Sequence, residues 1–447
     1  MFYPYLLEYL KLMRFFRHIL TLLATAAFVT TPSLLSAQES SLNAFSPYTL
    51  YGVGELHTPG TVAQRSMGGV GVAMQSNLVY NPLNPAALGN TMQQSFIFTF
   101  GTEGQNFYSK QGDAKTSFNT FNVRDIAIQF PITKKLGMSA SVTPYSSVGY
   151  RILTEETNPD VIADIGYVDY YHQGEGSITE AKVAMGWEPF KRFFIGASAI
   201  LYVGDLDRSY TTRITSITAG QGTFSSASAL DNFSVSRVMG NVGAQYHIIM
   251  KPQAALTVGA VYDFGGELKA KNKHLVSSNN IFGDTVRLTE TTSPIALPRS
   301  ISAGIYFQNP KWVAGFDYVY QDWKSKNEYD AVNQVGYNNT HTYKLGVQFT
   351  PNRGDVRRVL NRWSYRLGAR YGSSYLTFRG QKLPDMALTL GVGIPIKIFG
   401  TSSIDVGCEV GRRGTLSNGL VRDTYFKFSI GMSMFGEDYW FSRYKID

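Results

Sequence analysis

The chain has a single cysteine, Cys408, in 447 residues. One Cys cannot pair within its own chain, so no disulfide framework holds the fold. Charge is scarce, with Asp, Glu, Lys and Arg making up 17%. Beyond residue 37 no apolar run is long enough to cross a bilayer as a helix. A mean hydropathy of −0.12 likewise excludes a multi-helix membrane protein. Only six His occur. His57, His172, His247, His274 and His341 form no Ser/His partnership and no pair at ligand spacing, so neither an enzyme, a metal centre nor a cofactor is expected. What the chain does have is 44% apolar and 14% aromatic residues, with 43 Gly. That excludes long disorder and suits strands whose two faces meet different solvents.

The first segment reads as an address. Met13-Arg14-Phe15-Phe16-Arg17-His18 is basic, Ile19–Val29 is apolar, and Leu34-Leu35-Ser36-Ala37 ends on a small residue. This pattern predicts a secretory signal peptide over 1–37, cleaved after Ala37, with Met13 as a plausible start. No Cys follows the cleavage point, so lipid attachment there is not expected. Removing 1–37 leaves 38 Lys/Arg against 32 Asp/Glu, lowering the net charge from +8 to +6. That excess is spread along the chain and does not indicate nucleic acid.

The rest alternates at period two. Met386, Leu388, Leu390, Val392 and Ile394 share one face, opposite Ala387, Thr389, Gly391 and Gly393. Phe426, Phe428, Ile430, Met432 and Met434 stand opposite Lys427, Ser429, Gly431 and Ser433. Small polar residues fit the inside of a closed barrel and large aliphatics fit lipid. Lipid cannot satisfy an open sheet edge, so such strands must close. About fourteen strands are expected, from 94–104 to 420–434, in an all-β transmembrane antiparallel barrel over 93–435 with a tail at 436–447. Short connections alternate with long ones near 152–175, 211–229, 271–297 and 325–337, and the 351–361 turn is longer than its class. Trp187, Trp312, Trp323, Trp363 and Trp440 near strand ends are candidates for interfacial girdles. Cys408 falls on an apolar face and reads as a small lipid-facing residue.

Residues 38–92 do not alternate. Gly and Pro are dense in Tyr51-Gly52-Val53-Gly54, Arg65-Ser66-Met67-Gly68-Gly69-Val70-Gly71 and Asn81-Pro82-Leu83-Asn84-Pro85-Ala86. No Gly-Lys-Ser/Thr follows, so this is not a phosphate loop. A compact plug inside the barrel is expected, with Asn-Pro pairs fixing sharp bends.

At these residues the chain resembles the FadL-type outer membrane transporters of hydrophobic compounds. Asn84-Pro85-Ala86 resembles that family's motif at the end of its N-terminal hatch. Leu297-Pro298-Arg299 followed by Gly304, Trp312, Asp317-Tyr318 and Trp323 resembles two of its consecutive strands. Gly240-Asn241-Val242-Gly243 and Arg366-Leu367-Gly368-Ala369 add to the match. The resemblance implies a fourteen-stranded, hatch-plugged barrel in a Gram-negative outer membrane. It also implies passive, sideways passage of hydrophobic compounds such as long-chain fatty acids. The tail Gly436-Glu437-Asp438-Tyr439-Trp440 departs from the family and resembles Bacteroidetes-type variants, some of which serve type IX secretion as scaffolds. That leaves a second reading, a barrel scaffold with periplasmic or secretion-system protein partners. A hydrophilic porin is a third, disfavoured by the plug.

The family's third strand carries a kink that opens its wall. Here that strand contains Pro144, which cannot donate a ladder hydrogen bond. Pro144 is therefore the candidate lateral gate, with the outer rim as its harmless alternative. Phe45, Tyr48, Tyr51, Met67 and Met74 are candidate ligand contacts, and equally candidates for packing the hatch on the barrel. Arg65 is the candidate for a ligand carboxylate, or for tying the hatch to the wall. The partners expected are hydrophobic small molecules or lipids and outer membrane lipid, and the 152–175 loop with Val161, Ile162, Ile165, Tyr167, Tyr170 and Tyr171 is a candidate receiving groove.

Overall fold

In the computed structural model, residues 44–92, 95–215, 227–251, 253–280, 283–325, 327, 330, 334–396 and 402–437 are described. Fourteen strands form one antiparallel meander. They are β1 Ser95–Gln111, β2 Ala114–Thr133, β3 Leu136–Glu155, β4 Tyr167–Phe190, β5 Phe193–Thr215 and β6 Ala227–Lys251. β7 is Ala254–Asp263 continued by Gly266–Asn280, and β8 is Gly283–Leu297 continued by Arg299–Gln308. β9 is Trp312–Asp322 and β10 is Val335–Tyr337 continued by Thr340–Phe349. β11 Ser364–Phe378, β12 Gln381–Ile396, β13 Ser402–Gly414 and β14 Arg422–Glu437 complete the set. β14 pairs with β1 from Arg422↔Lys110 to Glu437↔Ser95, which closes the barrel and removes the sheet edges. No helix among the described residues is long and apolar enough to cross a membrane.

The alternation read from the sequence sorts onto the two faces. Leu345, Leu367, Leu388 and Leu390 are exposed on the outside, while their neighbours Lys344, Arg366, Ala387 and Thr389 are buried. Cys408 is on the outward row with Val410 and pairs across to Leu390 and Phe428. The outer connections are shorter than expected. Residues 152–155 and 167–175 belong to β3 and β4, leaving 156–166 with a short helix, α2, Pro159–Ile165. Val161 and Ile162 on it are half-buried, while Tyr167 and Tyr171 in β4 are exposed. The expected 271–297 loop is a tall hairpin, paired from Gly283↔Asn280 to Leu297↔Gly266. Its sequence does not alternate at period two, while the backbone pairs regardless of side chain. β14 runs two residues past the expected barrel end, to Glu437. The signal peptide, its cleavage site, Trp440 and the tail from 438 lie outside the described residues, as does 216–226 of the 211–229 connection.

Residues 44–92 lie against the inward-facing side chains. Their local structure is one short helix, α1, Val62–Arg65, with a Thr61/Gln64 capping box, a two-residue strand at Glu55–Leu56, and 3₁₀ turns at Pro47–Leu50 and Pro85–Asn90. The wall receives this hatch on glycine. Gly137, Gly186, Gly196 and Gly243 line up on β3 to β6, and a Cβ on any of them would collide with Asn84, Pro85 or Leu88. Gly315, Gly346 and Gly368 line up on β9 to β11 under Met67, Gly68 and Val70.

Two faces with different solvents make a direct test. Leu388 is 66% exposed on the outer face. Leu388→Arg should cost about 2–4 kcal/mol of folding free energy in lipid vesicles, measured by urea titration. An unchanged midpoint would mean that this face does not meet lipid.

Candidate functional site

The site begins where the wall fails. β2 and β3 pair from Thr133↔Leu136 to Ile126↔Val142 and no further. Past that point β3 still pairs with β4, but with a register shift between Pro144 and Ser146. Pro144 has no N–H to donate, so a continuous ladder cannot run through it. The shift is a bulge that directs Tyr145 and Ser146 inward in succession. On the abandoned side the hatch takes the place of β2. Glu55 pairs with Ser147 and Leu56 with Ser146. The His57 amide donates to Tyr145 O at 2.9 Å and the Ser46 amide to Gly149 O at 2.9 Å.

β2 bends away at a second bulge. Its register with β1 shifts between Gly101 and Thr102, opposite Arg124. Arg124 and Asp125 are therefore both buried inside. Arg65 of α1 meets them: its Nη1 lies 3.1 Å from Asp125 and its Nε 3.6 Å from Glu103, which Arg124 also approaches at 3.5 Å. Elsewhere Arg413 pairs with Glu55 at 2.9 Å and Asp385 at 3.4 Å. Asp317 accepts from the Gly71 and Val72 amides at 2.7 and 2.9 Å, and Arg370 donates to Thr58. Tyr375, directed inward by a bulge in β11, donates to Gly54 O at 2.7 Å.

Behind the break lies a cavity of about 310 Å³. Its apolar lining comes from Leu56, Pro144, Tyr145, Ile200, Tyr202 and Met239, and its charged lining from Glu180, Lys182, Asp263, Arg370, Asp385 and Arg413. The two are interleaved, since Glu180 pairs across to Tyr202 and Lys182 to Ile200. The rings of Tyr145 and Tyr202 meet edge-on at 5.0 Å. Lys182 Nζ is 3.5 Å from Glu180 and donates to Pro82 O at 3.4 Å. His57, which lines the cavity, has its Nε2 2.8 Å from Ser147 Oγ, a Ser/His contact not expected from the sequence, and no group of acidic, His or Cys side chains among the described residues could hold a metal ion. The cavity can enclose a small molecule with an apolar body.

The residues singled out from sequence fall in several places. Pro144 and Tyr48 line the cavity, and Tyr48 Oη is held by Val421, donating to its carbonyl at 2.6 Å. Phe45 is instead at the break, stacked on Phe118 of β2 with centroids 4.8 Å apart. Tyr51 packs edge-on against Phe378 at 5.6 Å. Met67 and Met74 do not face the cavity; they are buried with Val70, Ala73, Tyr306 and Val313, between hatch and wall. Arg65 borders the cavity but its head is committed to Asp125 and to Gly60 O, which makes it a tie and not a free carboxylate receptor. Asn84 accepts from the Ala86 amide at 3.0 Å and donates to Val72 O at 2.7 Å and Ala244 O at 3.3 Å, capping the 3₁₀ turn while joining both hatch halves to β6. Glu55, Tyr202 and Met239 went unread in the sequence, and His57 was read there only as lacking a Ser partner. Pro144, Tyr48 and Arg65 were the candidates that pointed to this neighbourhood.

The sequence profile of the BamG family matches residues 17–447. The chain belongs to the BamG family. No curated protein matches it in sequence. Solved structures similar to this family member share its fold at low identity. A monoaromatic hydrocarbon channel, CymD, has 15% identity and a TM-score of 0.59, with 87% of this chain and 99% of that one covered. The Pseudomonas putida toluene transporter TodX has 16% identity, a TM-score of 0.57 and coverage of 86% and 99%. A Pseudomonas aeruginosa FadL homologue has 14% identity, a TM-score of 0.57 and the same coverage.

Two measurements probe the seating of the hatch. Arg65→Ala strands Asp125 inside the barrel. Breaking such a buried pair should cost about 3 kcal/mol, read as a lower melting temperature with brief channel openings in planar bilayers. His57 is half-buried, its Nε2 2.8 Å from Ser147 Oγ. Burial, then the nearby Arg124, Lys427, Arg413 and Arg65 charges, hold its pKa well below the ordinary value. An unseated imidazole takes its proton near pH ~6.5 and the seated one does not. The hold is therefore complete above about pH 6.5 and weakens as pH falls below it. Protease cleavage of the hatch should rise on acidification from about pH 7 to 5, and less so in His57→Gln.

Proposed function

We propose that this barrel sits in the outer membrane of a Gram-negative bacterium and passes small hydrophobic compounds sideways through its wall. The observation that carries the reading is a coincidence of three features at one place. The β2–β3 ladder stops at Ile126↔Val142, a two-residue hatch strand stands in for the missing neighbour, and the cavity opens directly behind. A hatch strand held by two residue pairs is a removable piece of wall, whereas the full-length ladders around it are not. When Glu55–Leu56 leaves, the cavity meets lipid beside Pro144 and Tyr145. Leu56, Pro144 and Tyr145 then give the mouth of the cavity an apolar lining, which favours the passage of an apolar compound into lipid. CymD and TodX, named as a monoaromatic hydrocarbon channel and a toluene transporter, support an aromatic hydrocarbon as cargo.

A second reading, a scaffold that docks a periplasmic protein, draws on the 350–363 connection. It is folded around Asp355, which caps the Arg357 and Arg358 amides, and it presents Val356 at 92% exposure beside them.

The lateral route makes a demand on one residue. Pro144→Val restores an N–H and permits a straight ladder. Uptake of labelled toluene or oleate into cells carrying this variant should fall about tenfold or more, with barrel folding unchanged on heat-shift gels. Undiminished uptake would remove Pro144 from the route.

A further inference from the structure

The β2–β3 break is not the only interruption that reaches the cavity. β6 and β7 pair from Ala227↔Ser278 to Ser234↔Lys271, and pairing resumes only at Asn241↔Asp263. Across 235–240 of β6 the ladder to β7 is missing among the described residues, although the same stretch keeps its register with β5 from Val235↔Gly204 to Gly240↔Ala199. The cause is written into β7 and β8. Gly265 takes a left-handed φ of 62° and lies against the Pro298 backbone. Pro298 on the facing strand has no N–H to offer. The two strands therefore bend together at this point, and the pairings of β6 with β7 on either side of it are offset by one residue.

One backbone bond crosses this interruption, the Phe264 amide donating to Gly240 O at 3.2 Å, and side chains fill the rest. Met239 lies over Gly266, where a Cβ would meet its Cε at 3.2 Å and its Sδ at 3.4 Å. Val235, Leu268 and Leu297 are buried around it. Met239, Gly240, Gly265, Leu297 and Pro298 also line the cavity, so the interruption is its back wall. Outside, Val238 is 63% exposed and Phe264 51%, with Leu201 and Val203 beside them on β5. This is the upper end of the apolar belt. Beyond it the hairpin sequence turns polar, with Lys271, Lys273, Ser277 and Ser278. A thioether is unbranched and flexible, and it can change rotamer without breaking a hydrogen bond.

We propose that the β6–β7 interruption is a second lateral window, closed by Met239 over Gly266, through which single-chain amphiphiles enter the cavity from the outer part of the bilayer. The tail would lie along Ile200, Met239 and Leu297. The head would reach Glu180, Lys182 and Asp263. Two carboxylates against one ammonium select an uncharged hydroxyl or ester head over a carboxylate. Membrane lipid then enters at β6–β7, and the β2–β3 break serves as a separate exit. The proposal shares only the cavity with the transport reading, and its test does not depend on transport.

The lone Cys408 is removed as Cys408→Ser, and Met239→Cys is introduced in barrels reconstituted in phospholipid nanodiscs. N-dodecylmaleimide, which partitions into the bilayer, is the probe. The Met239→Cys thiol should react at least about tenfold faster than a buried inward control, Ala127→Cys. Ile200→Cys, deeper in the cavity, provides a second reporter should the first variant fold poorly. Monoolein should slow the reaction and oleate should not. Adding Pro144→Val should leave the rate unchanged, because the two openings are separate. A rate equal to that of the control at both reporters would overturn the window. So would a rate abolished by Pro144→Val, since the probe would then have entered by the β2–β3 break. Protection by oleate alone would overturn the head-group assignment.

Discussion

Everything inside this barrel depends on how closely the hatch backbone can approach the wall. A lumen ringed by ordinary side chains would hold the hatch a side chain's length away, with its amides facing nothing. Glycines at matching register on β3 to β6 and β9 to β11 remove that layer of Cβ atoms where Asn84, Pro85, Met67 and Gly68 arrive. The approach lets Asp317 and Thr389 satisfy hatch amides directly. Buried backbone polar groups must find partners, and an irregular, Pro-rich segment has few of its own. The glycine rows are thus what permits a plug with almost no secondary structure.

The charges follow from the same geometry. Ion pairs such as Arg65–Asp125 and Arg413–Glu55 run between hatch and wall or between wall strands. Buried pairs of this kind contribute little net stability, but a misplaced hatch would leave each one unpaired, at considerable cost. They act on register more than on strength. Among the described residues, two discontinuities of the wall arise from residues that cannot sustain a ladder: Pro144 in β3, and Gly265 with Pro298 in β7 and β8. One is closed by a borrowed strand and the other by a flexible side chain. Both face the same cavity.

The alternation of Leu388 and Leu390 with Thr389, or of Phe426 and Phe428 with Lys427, was legible because a lipid-facing strand must separate its faces residue by residue. The strand count and the closure follow from that pattern alone. The hairpin at 271–297 was not legible, since its sequence lacks that alternation and its pairing is made by backbone groups alone. Met67 and Arg65 show a related difficulty. A Met or Arg in an irregular segment has the same sequence signature whether it meets a ligand or the wall, and only the positions of Tyr306 and Asp125 distinguish the two. Met239 was hidden differently: it lies in a regular strand, and its role arises from Gly266 on the next one.

By itself, the sequence determined a closed barrel with an apolar exterior, an N-terminal segment without alternation, and a proline that must break or bulge one ladder. Those are local properties, fixed by side-chain polarity at period two and by the missing N–H of proline. Only the tertiary structure decided which wall residues the hatch touches, that Glu55–Leu56 substitutes for β2, and that two interruptions far apart in the chain open on one cavity. Those are matters of register between strands. Pairing is made by backbone groups common to all residues, and so carries no mark in any single stretch of sequence.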